Sequence, residues 1–422
     1  MRILAPLRHP PLALVWSGLA FSALGDQLNL VALGWVAVDA FGPAAGYLSA
    51  AKAAIVLLTA AFGGSLADGW DRRRTMVGAD LCRCLVLALF VLAWLAEGRP
   101  DPWLLGAAVV VLAAGEAFFE PALQTVLPAL VVEPGLLVAA NGLLDATDRL
   151  ARLIGPGLIA LAGAGLPPVH VFTLDAVSFL TSAAAVASVR LPRMPRVRTG
   201  LAPAGSLVRG FRAARREPLL GYLLAAGGLL NGVWYTVFFL AVPLAIGGFG
   251  ASGAAGLGLY GLVFSCYGFS NLAANLIVGS RPLPARPAGL IFSGVAMTGA
   301  GIGLMALACT PLVPPPLQRP AFAAAAAVSG FGGPLKDIAA AALRQILIPA
   351  ADIAAAMRAS LIVNASGLLL AMLAAPAACA GLGAAGVMLA GAAAYGAVAL
   401  AGWIRFAGMP ALAAPPPARG ES

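Results

Sequence analysis

Charge is scarce in this chain. Only 10% of its 422 residues are Asp, Glu, Lys or Arg, and just two are lysines, Lys52 and Lys336. Soluble domains carry roughly 25% charged residues. With 61% of the residues hydrophobic, there is too little polar surface to clothe a soluble core. Histidine is almost missing as well. His9 and His170 both flank apolar runs, which leaves no histidine at depth for catalysis or metal binding. The five cysteines, Cys82, Cys84, Cys266, Cys309 and Cys379, all fall inside apolar runs. Cys82 and Cys84 point to different sides of a helix, so there is no CxxC redox or zinc pair, and all five read as small buried apolar residues. No H-E-x-x-H, G-x-S-x-G or Walker G-x-x-x-x-G-K-[ST] motif occurs. The chain is therefore read as neither an enzyme nor an ATP-driven pump, and it needs no cofactor and no metal. The net charge of +9 does not indicate nucleic acid, because the basic residues are separated by long apolar stretches rather than gathered on a wetted face. A cleavable signal peptide is not expected, since the first apolar run far exceeds a signal h-region and lacks a small-residue cleavage site.

What the chain has in quantity is apolar length. About 20 apolar residues cross a bilayer, and runs of that order lie near 12–39, 44–67, 75–96, 103–130, 138–164 and 168–190, then 218–247, 254–279, 287–311, 320–347, 358–381 and 384–407. The expected fold is an all-α membrane protein of twelve transmembrane helices in two pseudo-symmetric six-helix bundles. Its 51 glycines suit helices that pack backbone to backbone. With the N-terminus inside, sixteen arginines (Arg2, Arg8, Arg72, Arg73, Arg74, Arg190, Arg193, Arg196, Arg198, Arg209, Arg212, Arg215, Arg216, Arg281, Arg286 and Arg419) fall on the cytoplasmic side, and two, Arg99 and Arg319, on the outer side. That positive-inside bias puts both termini in the cytoplasm.

The expected organisation is a first bundle over 1–190, a basic cytoplasmic linker over 191–217, a second bundle over 218–408 and a disordered cytoplasmic tail over 409–422. Within the linker, Leu207, Phe211 and Ala214 share one helical face and arginines fill much of the rest, which predicts a short helix lying on the anionic inner leaflet. The halves echo each other. Gly63-Gly-Ser and Gly279-Ser follow the second helix of each half, and Pro121 and Pro334 sit in corresponding fourth helices, 213 residues apart. Such a repeat fits a transporter of two lobes about a central path.

The loop after the second helix reads Gly64-Ser-Leu-Ala-Asp68-Gly-Trp-Asp71-Arg72-Arg73-Arg74. It resembles the G-x-x-x-D-R-x-G-R-R signature of the major facilitator superfamily, and most closely the variant of its bacterial drug and siderophore exporter branch, with Gly69 standing where that pattern has a basic residue. Ser22-Ala-Leu-Gly25-Asp26, Ala79-Asp80-Leu-Cys-Arg83, Ala117-Phe-Phe-Glu-Pro121-Ala and Leu174-Asp175-Ala-Val-Ser178-Phe are each similar to the corresponding helix of that branch. Gly142, Gly155 and Pro156 match the antiporter signature of the fifth helix, from which Ala151, Ile159 and Ala160 depart. The resemblance implies that Asp68 latches the two lobes by contacting the start of the eleventh helix, whose unpaired N–H groups favour an anion. It implies export from a bacterial inner membrane by a monomer, with cargo ranging from neutral macrolides to anionic siderophores.

Ionisable residues at depth are functional candidates by default. Asp26 lies near the centre of the first helix. Glu116 and Glu120 sit i,i+4 on the fourth, where two carboxylates in low dielectric cannot both ionise cheaply. Asp26 and Glu116 are the favoured proton or cation sites and Glu120 an accessory. The alternative, that each acid is capped by arginine or hydroxyl partners, stands beside it. Asp145–Arg149 and Asp148–Arg152 are i,i+4 pairs suited to structure or gating, and Arg152 could pair instead with Glu116 or Asp26 and switch as a proton moves. In the second half Asn231, Trp234, Tyr235, Lys336 and Asp337 are candidates to line a cavity, with the two aromatics equally readable as core or lipid-facing. The expected function is proton-coupled export of a small amphipathic molecule, with protons and membrane lipids as its other partners. A lysophospholipid flippase or an uncoupled facilitator on the same fold is the alternative.

Overall fold

The computed structural model describes residues 2–67, 70–130, 134–162, 165–189, 204–406 and 408. Asp68, most of the linker (190–203) and the tail (409–422) lie outside the described residues.

Helices account for nearly all of it. α1 (Pro10–Phe41), α2 (Gly46–Ala67), α3 (Arg72–Glu97), α4 (Pro102–Leu130), α5 (Pro134–Ala162) and α6 (Pro168–Ser188) form one group. A short helix α7 (Ala204–Arg216) leads to α8 (Pro218–Thr236), which passes through a π-helical turn, Val237–Ala241, into α9 (Val242–Gly248). α10 (Gly253–Gly279), α11 (Pro287–Ala308), α12 (Pro315–Leu347) and α13 (Ala350–Phe406) complete the second group. Proline opens α1, α6, α8, α11 and α12 within their first two positions, where its missing N–H costs nothing. Separate helices were expected over 358–381 and 384–407. Within α13 two helices follow one another across a break at Gly383, between the expected bounds, and its φ of 68° suits a residue without Cβ.

Among the described residues, eight helical stretches are long and apolar enough to cross a membrane, and two of these, Pro10–Thr59 and Asp352–Phe406, each hold two helices. The other two of the twelve expected spans, α5 and α12, carry charge inside the helix: Asp145, Asp148, Arg149 and Arg152 on the first, Lys336 and Asp337 on the second, with Arg344 in its last turn. The polarity is that of a membrane protein. Along α3, Leu81, Leu85, Leu89, Leu92 and Leu95 form an exposed stripe, while Asp80 and Arg83 are buried inside.

Glycine sets the closest helix contacts. Gly18 and Gly25 of α1 let α6 approach, so that a Cβ on Gly18 would stand 2.7 Å from the Ala185 Cβ. The main chains of Gly228 and Gly232 meet Val363 and Gly367 across α8 and α13. α7 differs from expectation. Its buried residues are Gly210, Ala213 and Ala214, with Gly210 against the Ala355 carbonyl of α13, while Arg209, Arg212, Arg215 and Arg216 are exposed. The small-residue face is taken by protein rather than by the leaflet, because only residues without bulk allow that approach.

The two groups of helices touch mainly at α2–α13 and α5–α10, with further contacts from α1 to α9 and α10. These contacts concentrate toward the ends where α1 finishes and α10 begins. Trp35 fills the space a Gly256 side chain would need, Tyr260 lies 6.4 Å from Trp35 between ring centroids, and Gly46 packs on Pro376. One buried apolar cluster there takes residues from both groups. At the opposite end, which carries the α2–α3 loop and α7, each described cluster belongs to one group alone: Leu219, Ile291, Leu343 and Phe406 in one, and Met76, Phe119 and Val126 or Leu12, Leu127 and Ala140 in the others. The two lobes are joined at one end and separate at the other.

Candidate transport cavity

One set of charged side chains is in mid-helix by position yet accessible. Asp26 is exposed on α1. Lys52 of α2 and Glu116 of α4 form an ion pair, Nζ to Oε2 3.6 Å, with side chains 45% and 67% accessible. Lys52, which stands alone in the sequence, thus meets its partner across two helices, and it holds the place beside Glu116 that Arg152 was expected to take.

Behind this open layer is a buried one that sequence reasoning did not select. Asp80 and Arg83, i,i+3 on α3, pair at 3.4 Å and are almost fully buried. The Arg83 guanidinium sits 5.3 Å from the Phe119 ring centroid and 5.1 Å from that of Phe179, an arrangement that stabilises a cation inside protein. Gly115 leaves the room its side chain occupies. Asp175 of α6 is wholly buried. The Ser178 hydroxyl donates toward both the Asp175 carbonyl (2.8 Å) and its Oδ1 (3.0 Å). The missing Cβ of Gly25 admits both residues, since an atom there would lie 2.5 Å from Asp175 Oδ1. Arg83, Glu116, Lys52 and Asp80 act electrostatically on Asp26, as Asp26 does on Asp175. Four acids (Asp26, Asp80, Glu116, Asp175) therefore share two bases (Lys52, Arg83). The signal for the buried members was present in the segments Asp80-Leu-Cys-Arg83 and Asp175-Ala-Val-Ser178. Their depth becomes visible only when α3 and α6 close on α1.

Other candidates lie elsewhere. Glu120 Oε1 accepts a hydrogen bond from Gln124 at 3.0 Å and faces Asp148. Arg152 is exposed and acts on Asp148, one turn back on its own helix, while Arg149 Nε donates to Asp145 at 2.8 Å. The α2–α3 motif works inside the first lobe. Asp71 caps α3, its Oδ1 accepting the Arg74 N–H at 2.9 Å. Arg73 donates to carbonyls at the end of α6, those of Val186 (3.3 Å), which also accepts the Val189 N–H, and Ala187. Arg72 is also engaged, Gly64 lies in the last turn of α2, and Asp68 is outside the described residues. Asp71→Ala is expected to cost about 1 kcal/mol of stability through loss of the cap, read as a lower denaturation midpoint in detergent. In α5, Gly142 meets open space, whereas Gly155 lies where α5 crosses α1, a Cβ there falling 2.7 Å from that of Gln27, and the Pro156 carbonyl faces α10.

The second lobe presents aromatic and amide groups. Trp234 Nε1 donates to the Tyr267 hydroxyl at 3.1 Å and stacks on Phe238 at 5.0 Å, and Tyr235 stacks on Phe239 at 5.3 Å. Both expected aromatics are thus part of a half-buried aromatic shelf rather than lipid-facing. The π turn frees the Phe238 carbonyl, which accepts from the Tyr260 hydroxyl at 2.9 Å, and such turns are frequent at functional sites. Asn231 donates to the Asn364 carbonyl at 3.1 Å. Lys336 and Asp337 pair at 2.8 Å, with the Asp337 side chain 68% accessible and acting on Tyr267.

Comparison with known proteins fits this geometry. The family model of transmembrane secretion effectors matches residues 1–279. Macrolide efflux protein A of Streptococcus pyogenes is 26% identical over 68% of this chain and 72% of its own length. The multidrug efflux pump Tap of Mycolicibacterium fortuitum is 28% identical over 54% of this chain and 53% of its own. In fold the chain is similar to the nucleoside transporter NupG (TM-score 0.69, 13% identity, 94% of this chain and 98% of that one). It is likewise similar to a bacterial homologue of the iron transporter ferroportin in an inward-facing state (TM-score 0.61, 17% identity, 92% and 98%). A helical, membrane-spanning chain of two helix groups with these relatives is a secondary transporter of drug type, not an enzyme, and it belongs to the transmembrane secretion effectors of the major facilitator superfamily.

Proposed function

We propose that the chain exports a small amphipathic molecule of macrolide-like size in exchange for protons, by alternating access of a cavity between lobes 1–190 and 218–408. The observation that carries this reading is a pair of lobes joined at one end, with the mid-helix charges Asp26, Lys52, Glu116 and Asp337 accessible; a cavity between the lobes would expose them. With the arginine-rich end in the cytoplasm, as in a bacterial inner membrane with both termini inside, the described state is open inward. Rocking about the α2–α13 and α5–α10 contacts would then close it, with Asp68 latching onto the start of α13. Open acids attract a proton or a cationic group, and the Trp234–Tyr235 shelf offers an apolar face to the rest of the cargo. Two complete lobes make a monomer sufficient.

Macrolide is the favoured cargo because two features agree: the relatives' names and a cavity with both an aromatic and a charged wall. The test is accumulation of macrolides, lipophilic cations and siderophores in cells with and without the protein, at two external pH values. Lower macrolide accumulation in expressing cells, with the difference shrinking as external pH rises, supports the proposal. Equal accumulation of every compound at both pH values overturns it.

A further inference from the structure

The α1–α6 seam contains polar atoms with no partner. Asp175 Oδ2 is buried and accepts no hydrogen bond, and so is Asn29 Oδ1, on the α1 residue that faces Asp175. Both are acceptors. A buried polar atom left without its bond costs on the order of 1–3 kcal/mol, and two acceptors left so in one seam point to a missing positive guest rather than a missing anion. The three acids around it are provided for: Glu116 has Lys52, Asp80 has Arg83, and Asp26 is exposed. Among the described residues of the first lobe, Asp175 is the acid that is both enclosed and without a base in contact. Its surroundings are few: Asp26 from α1, Arg83 from α3, which is engaged by Asp80, and nothing charged from α10, which touches the edge of α6. The packing at Gly25, where even one carbon would overlap Ser178 and Asp175, leaves room for a proton and not for a hydrated metal ion.

We infer that Asp175 is the proton-holding carboxyl of this transporter, loaded from the cavity through Asp26, with Asn29 and Ser178 as the groups that position it. In the described state a proton on Asp175 Oδ2 is donated to a neighbouring acceptor, the Asn29 carbonyl oxygen or Asp26. When the cavity loses that proton, the carboxylate is left with neutral partners only, the shared Ser178 hydrogen and the Asn29 side chain, and no base in contact, and the seam favours rearrangement of α1 against α6. Glu116, tied to Lys52, then tunes the charge of the cavity and does not carry the coupling ion.

This inference rests on proton coupling as proposed above, and the test separates the two. Purified protein is reconstituted, and erythromycin is followed in two modes: accumulation driven by a pH gradient, and exchange of labelled for unlabelled drug at equal pH. Asp175→Asn keeps the size of the side chain and a carbonyl to accept from Ser178. The expected result is loss of gradient-driven accumulation by more than about tenfold, a factor worth 1.4 kcal/mol, with exchange kept within about twofold. Ser178→Ala, which removes the donor that favours the carboxylate, should keep transport and move its pH dependence to more alkaline values. A folded Asp175→Asn protein that loses both modes together, or neither, overturns the role of Asp175, as does an unmoved pH profile in Ser178→Ala. If the unaltered protein shows exchange but no gradient-driven accumulation, proton coupling itself fails.

Discussion

Asp26→Asn abolishes pH-gradient-driven export while leaving the protein folded and in the membrane. Among the described acids of the first lobe, Asp26 is the one that is both exposed and acts on the buried Asp175, which places it to relay charge between the two. The loss should exceed about tenfold, equivalent to 1.4 kcal/mol, against an expected change of only a few-fold for Glu116→Gln. The smaller effect follows from the Lys52–Glu116 pair. Neutralising Glu116 strands Lys52 in the cavity, where an unpaired cation repels cationic cargo and costs more than the exposed pair is worth. Lys52→Met added to Glu116→Gln should therefore restore part of the activity. Transport kinetics of the two single variants and the double variant give the coupling between these residues directly.

How much of this was legible in the sequence depends on which force places each residue. Membrane insertion is a composition effect, so the apolar runs, the arginine asymmetry and the two-lobe arrangement could be read at once. The α2–α3 motif was legible as a segment, whereas its contacts were only partly local: Asp71 caps α3 at Arg74, but Arg73 reaches Val186 and Ala187 of α6. Long-range packing was not. Lys52 and Glu116 are 64 positions apart and meet only because α2 and α4 are neighbours. Asp80, Arg83 and Asp175 were visible as family-like segments, but their burial depends on Gly25 and Gly115 removing the side chains that would occupy the same space. The π turn at Val237–Ala241 has no periodicity signal of its own, because the apolar run continues through it. Arg152 shows the same limit: helical spacing puts it one turn from Asp148, on which it acts, but does not give its neighbours on other helices.

Gly261→Leu is expected to invert the preferred state of the transporter. In α10, a Cβ on Gly261 would lie 2.9 Å from the Pro156 carbonyl oxygen, the Ala160 nitrogen and Ile159 Cγ2 of α5. Two of these are main-chain atoms, so the overlap cannot be relieved by a rotamer change and must move one lobe from the other. Overpacking of this kind costs about 1–3 kcal/mol, and all of it falls on the state in which this seam is closed. The equilibrium should shift roughly 5- to 150-fold toward opening at that end. Spin labels at Ala40→Cys and Ser252→Cys, in a background without the five native cysteines, report the seam-side distance. A second pair at Arg74→Cys and Arg358→Cys reports the other end. The first distance should lengthen and the second shorten, with export strongly reduced. Lengthening at both ends would mean that the lobes separate instead of rocking.

The most direct measurement is proton movement tied to cargo in sealed proteoliposomes. With an acidic lumen and erythromycin outside, the protein should drive the drug inward beyond the trapping seen in protein-free vesicles, and each addition of drug should alkalinise the lumen. Asp26→Asn vesicles should behave as protein-free ones. Drug uptake by the unaltered protein that ignores the pH difference, or an unchanged lumen pH during that uptake, would contradict exchange of cargo for protons.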